Sequence, residues 1–237
     1  MKRHFGFLTG TTLGIASLFV QAAGASALAG PESDQALLLE SKRIVLETTT
    51  QISPPAIQFS GRDTIRLAWF EKNGTNNEVK LARLTDGNQA PALTITVNRP
   101  GQGPAAIHQA PGLAVGREGS VFVTWSASNK GAGGLFASDL LLARSTDGGV
   151  TFVEPAMVND DGKPISHTFE DLLIGPDGNV YLSWLDGRAK DRSGAAAFFA
   201  CSQDQGRSIG KNVMIDGMAC PCCRPAVASA PDGTIWV

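Results

Sequence analysis

The sequence predicts an all-β fold, a β-propeller built of four-stranded blades. A unit of an apolar strand, a tight turn and a second strand ending in tryptophan occupies residues 167–184 and recurs at 108–125. A weaker copy runs over 52–69, and another starts at Cys222 and stops before its tryptophan position. The tryptophans stand at 69, 125 and 184, so the repeat is 56 and 59 residues long. Repeats of this length that contain only strands are typical of propeller blades.

The turn inside the repeat is Pro-Asp-Gly at 176–178 and again at 231–233. Proline presets φ and glycine supplies a positive φ, so this tripeptide between two apolar runs predicts a hairpin. The pattern predicts about three and a third blades. The chain stops within a predicted strand, which is expected of a fragment of a longer protein. The predicted blades cover about 52–97, 108–158, 167–215 and 222–237.

Composition narrows the class of protein. The chain has 237 residues, is 43% hydrophobic and carries a formal net charge of −2. This composition is ordinary for a globular protein with a sizeable core. No basic stripe is present, so nucleic acid is not an expected partner.

The N-terminal region predicts export. Basic residues 2–4 precede an apolar stretch over 5–20, and small-residue cleavage motifs stand at 25–27 and 27–29. This is the pattern of a signal peptide, predicted over 1–29. The apolar stretch is shorter than the ~20 residues of a membrane span, so no stable span is expected after cleavage. The sequence therefore predicts a secreted or periplasmic protein, with 30–50 a linker and a strand that can close the ring.

The third strand of each predicted blade ends in a similar turn. Segments 142–152 and 200–209 both fit Ser-x-Asp-x-Gly-x-Thr/Ser, and 81–87 is a degenerate copy. This pattern resembles the Asp-box, or BNR repeat, of sialidase-like β-propellers, and the resemblance covers nearly all of the mature chain. It implies a six-bladed ring in which the boxes are structural and lie away from the active site. The box residues are Ser145, Asp147, Gly149, Ser202, Asp204 and Gly206.

Strand direction alternates within a blade, so the segment before strand one and the loop after strand two share one end. The resemblance implies that ligands, glycans or other small molecules, bind at this end. For residues 185–188 (LDGR), a salt bridge within the turn is as open an interpretation as ligand binding. The charged candidates at this end are Glu170, Asp171, Asp186, Arg188 and Arg224.

Both histidines of the mature chain begin a repeat. His108 and His167 each precede their tryptophan by 17 residues (108 to 125, 167 to 184), and Cys222 aligns with them in the fourth copy. A ring of His108, His167 and Cys222, with Cys223 or Cys220 adjacent, is therefore one hypothesis. Imidazole and thiolate ligands suit copper(I) or zinc. The alternative is that the histidines only hydrogen-bond to strand starts, without metal.

The segment 218–225 holds Cys220, Cys222 and Cys223. A local disulfide, either 220–223 or 222–223, is one expectation, and a metal or redox role is the other. Cys201 stands beside the second box, at the other end of its blade. Because a disulfide requires Cβ atoms ~4 Å apart, we predict that Cys201 does not pair with the cluster.

The resemblance implies an exo-α-sialidase, but the sequence departs from that pattern. Sialidases use arginines to bind the substrate carboxylate and a tyrosine nucleophile. Ile52-Ser-Pro-Pro stands where the family's arginine motif belongs, and the single tyrosine, Tyr181, lies within a predicted core strand. Two hypotheses follow: a sialidase-like glycoside hydrolase, or a propeller that is non-catalytic or binds copper or zinc.

Overall fold

The computed structural model describes residues 15–22, 40–47, 50–61, 63–85, 91, 93–129, 134, 136–188 and 194–237. The regular structure of these residues consists of strands and one short 3-10 turn, Arg117–Gly119. The predicted all-β class is confirmed. Asp86, the aspartate of the degenerate box, lies outside the described residues.

The N-terminal segment forms a strand pair of its own. Strand β1 (Ile15–Ala22) pairs antiparallel with β2 (Glu40–Glu47) along its whole length. The predicted signal peptide includes β1, and the predicted ring-closing segment includes β2, so both interpretations stay predictions. None of the helices within the described ranges is long and apolar enough to cross a membrane.

Three antiparallel four-stranded sheets and a hairpin follow, each pairing its strands in chain order. This up-and-down arrangement of successive sheets is that of propeller blades, as predicted. Blade one contains β3 (Ala56–Ser60), β4 (Thr64–Asn73), β5 (Asn76–Thr85) and β6 (Leu93–Thr96). Blade two contains β7 (Gly112–Val115), β8 (Val121–Ser128), β9 (Ser138–Ser145) and β10 (Ala156–Met157). Blade three contains β11 (His167–Ile174), β12 (Val180–Asp186), β13 (Ala195–Ser202) and β14 (Val213–Ala219). Strands β15 (Ala228–Ser229) and β16 (Ile235–Trp236) begin blade four.

The hydrophobic core lies between adjacent blades. One cluster joins blades one and two around Trp125, and a second joins blades two and three around Trp184. Both indole rings are fully buried and each ring N–H is satisfied, by Gln102 O for Trp125 and by Asp186 Oδ2 for Trp184. A buried tryptophan needs such a partner for its polar atom. Trp125 and Trp184 therefore fix neighbouring blades against each other.

The Pro-Asp-Gly turns form the predicted hairpins between β11 and β12 and between β15 and β16. Gly178 has φ +80° and Gly233 has φ +87°, values that side chains strongly disfavour. The amide of Gly178 donates to Gly175 O and that of Gly233 to Ala230 O, both at 3.0 Å. The turn chemistry thus sets the register of the first two strands in both blades.

Candidate functional site

Each blade has two chemically different ends. We call the end that holds the turns at 145–151 and 202–208 the box end. The mouth end is the opposite one, where β11 begins, β12 ends and the chain enters blade four. Most of the residues predicted as site candidates lie at the mouth end, and their surroundings differ from one to the next.

The two boxes make the same set of hydrogen bonds. In blade two, the Ser145 hydroxyl donates to Asp147 Oδ1 at 2.7 Å and accepts the Gly149 amide at 2.9 Å. In blade three, Ser202 and Asp204 repeat these bonds at 2.8 Å and, with Gly206, at 2.7 Å. Each aspartate also accepts the amides three and four residues further along the chain, and the hydroxyl of the fourth. These donors hold the pKa of both carboxyls well below the usual range. The box carboxylates are thus fully engaged within their own turns.

The Tyr181 side chain contacts a turn at the box end. Its hydroxyl donates to Asp177 Oδ2 at 2.6 Å, within the Pro-Asp-Gly turn of blade three. The ring stacks near Phe199, with centroids 6.0 Å apart. This tyrosine supports a turn at the end of the blade opposite the mouth.

A β-bulge shapes the innermost strand of blade three. The pairing of β11 with β12 shifts register between Thr168 and Asp171, and Phe169 within the shift has φ +59°. A positive φ is costly for a bulky residue, and bulges re-aim neighbouring side chains. The next residue, Glu170, is directed toward blade two, and its side chain is buried.

Glu170 lies between blade two and the entry to blade four. The Ser126 hydroxyl of β8 donates to Glu170 Oε2 at 2.9 Å. Arg224 donates through Nε to the backbone oxygen of Glu170 at 2.6 Å and through Nη2 to Ala110 O at 3.4 Å. Burial raises the pKa of the Glu170 carboxyl to about 7, while Arg224 and Ser126 act in the opposite direction. The carboxyl therefore exchanges its proton near neutral pH.

Asp171, the neighbour of Glu170, has a different partner. Its Oδ2 accepts the amide of Val227 at 2.8 Å. This bond fixes the entry to blade four against the innermost strand of blade three. The sequence predicted Glu170 and Asp171 as one acidic pair, but in the structure the two side chains bond to different segments, Ser126 of blade two and Val227 at the entry to blade four.

His167 is fully buried at the start of β11. Its Nδ1 lies 2.5 Å from Ser138 O, a carbonyl that can only accept, so Nδ1 carries a hydrogen. Its Nε2 faces two carboxylates, Asp161 Oδ1 at 3.2 Å and Asp186 Oδ2 at 3.6 Å. These three side chains offer a set of metal-ligand atoms within 4.8 Å of one another.

Arg188 extends the same network to the surface. It bonds Asp186 Oδ2 at 2.7 Å and Asp160 Oδ1 at 2.6 Å, and its guanidinium carbon lies 4.1 Å from the Phe198 ring centroid. The salt-bridge interpretation of the LDGR segment therefore describes this geometry, extended to Asp160 in the link between blades two and three. Asn212 completes the network by bonding to Arg188 and Asp160.

The predicted ring of His108, His167 and Cys222 is not formed, which corrects the metal hypothesis in that form. Exposed His108 contacts Gln109, buried His167 contacts Ser138 and two aspartates, and Cys222 lies with the other cysteines. The reason is that equal spacing from the tryptophans does not give equal structure. His167 is the first residue of β11, whereas His108 precedes β7 by several residues.

The three clustered cysteines form one exposed group. Their sulfur atoms all lie within 4.8 Å of one another, and Cys220 Sγ is 3.2 Å from Cys222 Sγ. All are free thiols, as is Cys201, so neither expected pairing, 220–223 or 222–223, is present. Hydrogen bonds from the backbone and side chain of Cys222, and then from Cys223, lower the pKa of Cys220 to about 7. The hydrogen bond and charge of Cys220, and then those of Cys222, raise the pKa of Cys223 to about 11.

Two cavities lie away from these groups. One of about 200 Å³ is lined by turn residues that include Gly116 and Asp177, and one of about 550 Å³ lies beside Asp204 and Lys211. Both are at the box end or on the outer side of blade three. The mouth-end candidates line neither of them.

Comparison with known proteins supports the fold. No family model and no curated protein matches the sequence. The similar solved structures include the Hadza microbial sialidase Hz136, with a TM-score of 0.50 and 16% sequence identity. That match covers 74% of this chain and 45% of the sialidase. They also include a protein of unknown function from Dyadobacter fermentans DSM 18053, with a TM-score of 0.54 and 16% identity, where the match covers 88% of this chain and 66% of the other. The fold is that of a sialidase-like β-propeller. The propeller spans less than half the length of the sialidase.

Several residues of the mouth end were not predicted from the sequence. Ser126, Ser138, Asp160 and Asp161 belong to blade two or to its exit, yet they contact blade three. The adjacent aspartates at 160–161 were the available signal, because two acids in a short link between blades need cationic partners. Ser126 and Ser138 carried no such signal.

Proposed function

We propose that the propeller binds a glycan at its mouth end and hydrolyses a glycosidic bond, with Glu170 as the group that exchanges the proton. One observation carries the proposal. Glu170 is a buried carboxyl with a pKa raised to about 7, placed by a bulge on the innermost strand of a blade. Strained bulges of this kind are common next to active sites.

The chemistry requires a carboxylic acid that is still protonated near neutral pH. Glycoside hydrolysis begins with protonation of the leaving oxygen, and acids tuned to a pKa near the working pH do this well. Glu170 has that property because burial disfavours its charged form. The Ser126 hydroxyl holds one carboxyl oxygen in a defined direction.

Arg224 gives the mouth its preference for an anionic ligand. Its Nε and Nη2 are held by the backbone oxygens of Glu170 and Ala110, which fixes an exposed guanidinium next to the acid. Guanidinium groups bind carboxylates strongly. A sialoside, which carries a carboxylate on the sugar ring, fits this pair of groups, and similarity to a sialidase fold favours the same substrate class. Glycans of this kind are met outside the cytoplasm, consistent with the predicted signal peptide.

The test is hydrolysis of 4-methylumbelliferyl α-sialoside by the whole secreted protein. We expect activity that declines as pH rises through about 7, because the acid loses its proton. Glu170→Gln should lower kcat/KM by about 10²–10⁴-fold. Arg224→Lys should mainly raise KM, while Glu154→Gln, an exposed surface change, serves as the matched control.

Full activity in a folded Glu170→Gln variant contradicts the catalytic role. Absence of turnover together with binding of sialyllactose in calorimetry supports the second candidate, a binding protein without catalysis. That candidate is favoured by one observation: Arg188 is already bonded to Asp186 and Asp160, so fewer charges remain for a reacting substrate.

A further inference from the structure

The geometry points to a metal site that is separate from the glycan site: we propose that Cys220, Cys222 and Cys223 bind a single copper(I) ion. The three sulfur atoms lie within 4.8 Å of one another on one exposed turn. The contact between the Cys220 and Cys222 sulfurs, 3.2 Å, is longer than the ~2.05 Å of a disulfide, so the thiols are separate. This inference does not depend on the proposed hydrolysis.

A tight turn brings the three thiols together. The Cys223 amide donates to Cys220 O at 3.3 Å, which closes a four-residue turn with Pro221 in the second position. Proline is favoured there because its φ is already set to the required value. Cysteines then occupy the first, third and fourth positions, and a short turn cannot separate their side chains by much.

The turn is held from both sides. Before it, Ala219 pairs with Ala195 at the end of β14. After it, Arg224 bonds to Glu170 O, and the Val227 amide bonds to Asp171. A turn fixed on each side presents its ligands with less loss of conformational freedom on binding.

The donor set favours copper(I). Soft thiolates select copper(I) and zinc among the common metals. Zinc in structural sites is nearly always bound by four protein ligands, and among the described residues this group contains three thiols with no histidine or carboxylate. The exposed thioether of Met218, two residues before the turn, adds another soft donor to the same segment. As each sulfur–copper bond forms, its thiol proton passes to solvent.

The site is exposed, so an ion bound here can be loaded and withdrawn. All three cysteines are exposed, in contrast to the buried histidine and aspartate group of the same blade. Because the three side chains are exposed, Cys→Ser substitutions remove thiol ligands without removing a buried contact. Cys201, half-buried and beside the box of blade three, provides a matched control thiol.

The experiment is an anaerobic titration of the reduced whole protein with copper(I) in competition with bicinchoninate. We expect one equivalent bound in the wild type and in Cys201→Ser. Cys220→Ser, Cys222→Ser and Cys223→Ser should each weaken binding at least tenfold. X-ray absorption of the loaded protein should show a copper shell made of sulfur, and thermal unfolding of each variant confirms that it is folded.

Three outcomes overturn the proposal. The first is a protein whose thiols are all titratable but which retains no copper(I). The second is copper binding that survives the three single substitutions or is lost in Cys201→Ser. The third is zinc(II) that remains bound when one equivalent of copper(I) is added. Unchanged copper binding in Glu170→Gln is expected, because that side chain is not a ligand.

Discussion

The two ends of the same blades are built on different principles. At the box end, blades two and three repeat one set of hydrogen bonds to within about 0.2 Å, from Ser145 and Asp147 to Ser202 and Asp204. At the mouth end some contacts recur, such as the indole–carboxylate bonds of Trp69 with Glu71 and Trp184 with Asp186, but the histidines do not. His167 is buried among aspartates, whereas His108, at the matching sequence position, is exposed. The repeat thus specifies the scaffold, and departures from it specify the site.

The difference arises from where the partners come from. Each box is satisfied within one turn, so any blade that keeps the pattern keeps the geometry. The mouth end is satisfied between blades. Ser126 of blade two meets Glu170 of blade three, and Arg224, from the entry to blade four, meets Glu170 and Ala110, which lies just before blade two. Substitutions should therefore have unequal effects at the two ends.

The largest effect is expected for Asp186→Ala at the mouth end. Asp186 is 1% exposed and bonds to the Trp184 ring N–H and to Arg188, with His167 nearby. Removing one member of a buried charged group leaves the others uncompensated and costs about 3–5 kcal/mol of unfolding free energy. Urea denaturation measures this loss. Asp186→Asn, which keeps an acceptor for Trp184 but also loses the charge, should cost nearly as much. A loss far smaller than that of Asp186→Ala would contradict the charge argument.

A pH-dependent effect is expected for Glu170. The pKa of its carboxyl is about 7 in the folded protein, above the ordinary value of 4.5. The full free energy of unfolding is therefore present below about pH 4.5, where the carboxyl is protonated in both states, and part of it is lost as pH rises through 7. Between pH 4 and pH 8 the wild type should lose about 3 kcal/mol relative to Glu170→Gln. Denaturation of both proteins at the two pH values checks this. A constant difference would mean that folding does not raise the pKa of the Glu170 carboxyl.

Smaller and equal effects are expected at the box end. Ser145→Ala and Ser202→Ala each leave a buried glycine amide without its acceptor, which costs about 1–3 kcal/mol. Because the two boxes share one geometry, the two losses should agree within experimental error. Differential scanning calorimetry of both variants measures them. A large inequality would show that the boxes also depend on contacts between blades.

The smallest effect is expected for Glu154→Gln. The carboxylate of Glu154 is 67% exposed and bonds to Arg99 at 3.2 Å. Exposed ion pairs contribute about 0–1 kcal/mol, and salt screens them. The unfolding midpoint should change little at low salt and not at all at high salt. This variant supplies the reference against which the changes at both ends are compared.

The sequence predicted the fold well because the fold depends on repeated local patterns. The Pro-Asp-Gly turns and the box serines and aspartates each specify structure within a few residues of themselves, and the tryptophans mark the repeat. The site was predicted less well, because its contacts join residues far apart in sequence. No spacing rule indicates that Ser126 meets Glu170, or that His167 begins β11 whereas His108 lies before β7.

The sequence separation of these contacts also orders the events of folding. Bonds within a box join residues two to four positions apart, so the boxes can close as soon as their own hairpins form. The contacts of Arg224 join residues 54 and 114 positions apart, which requires blades two and three to be in place. Contacts of long range form late because loop closure must precede them. Formation of the Arg224 contacts at the mouth end therefore indicates that the blades before it have already packed together.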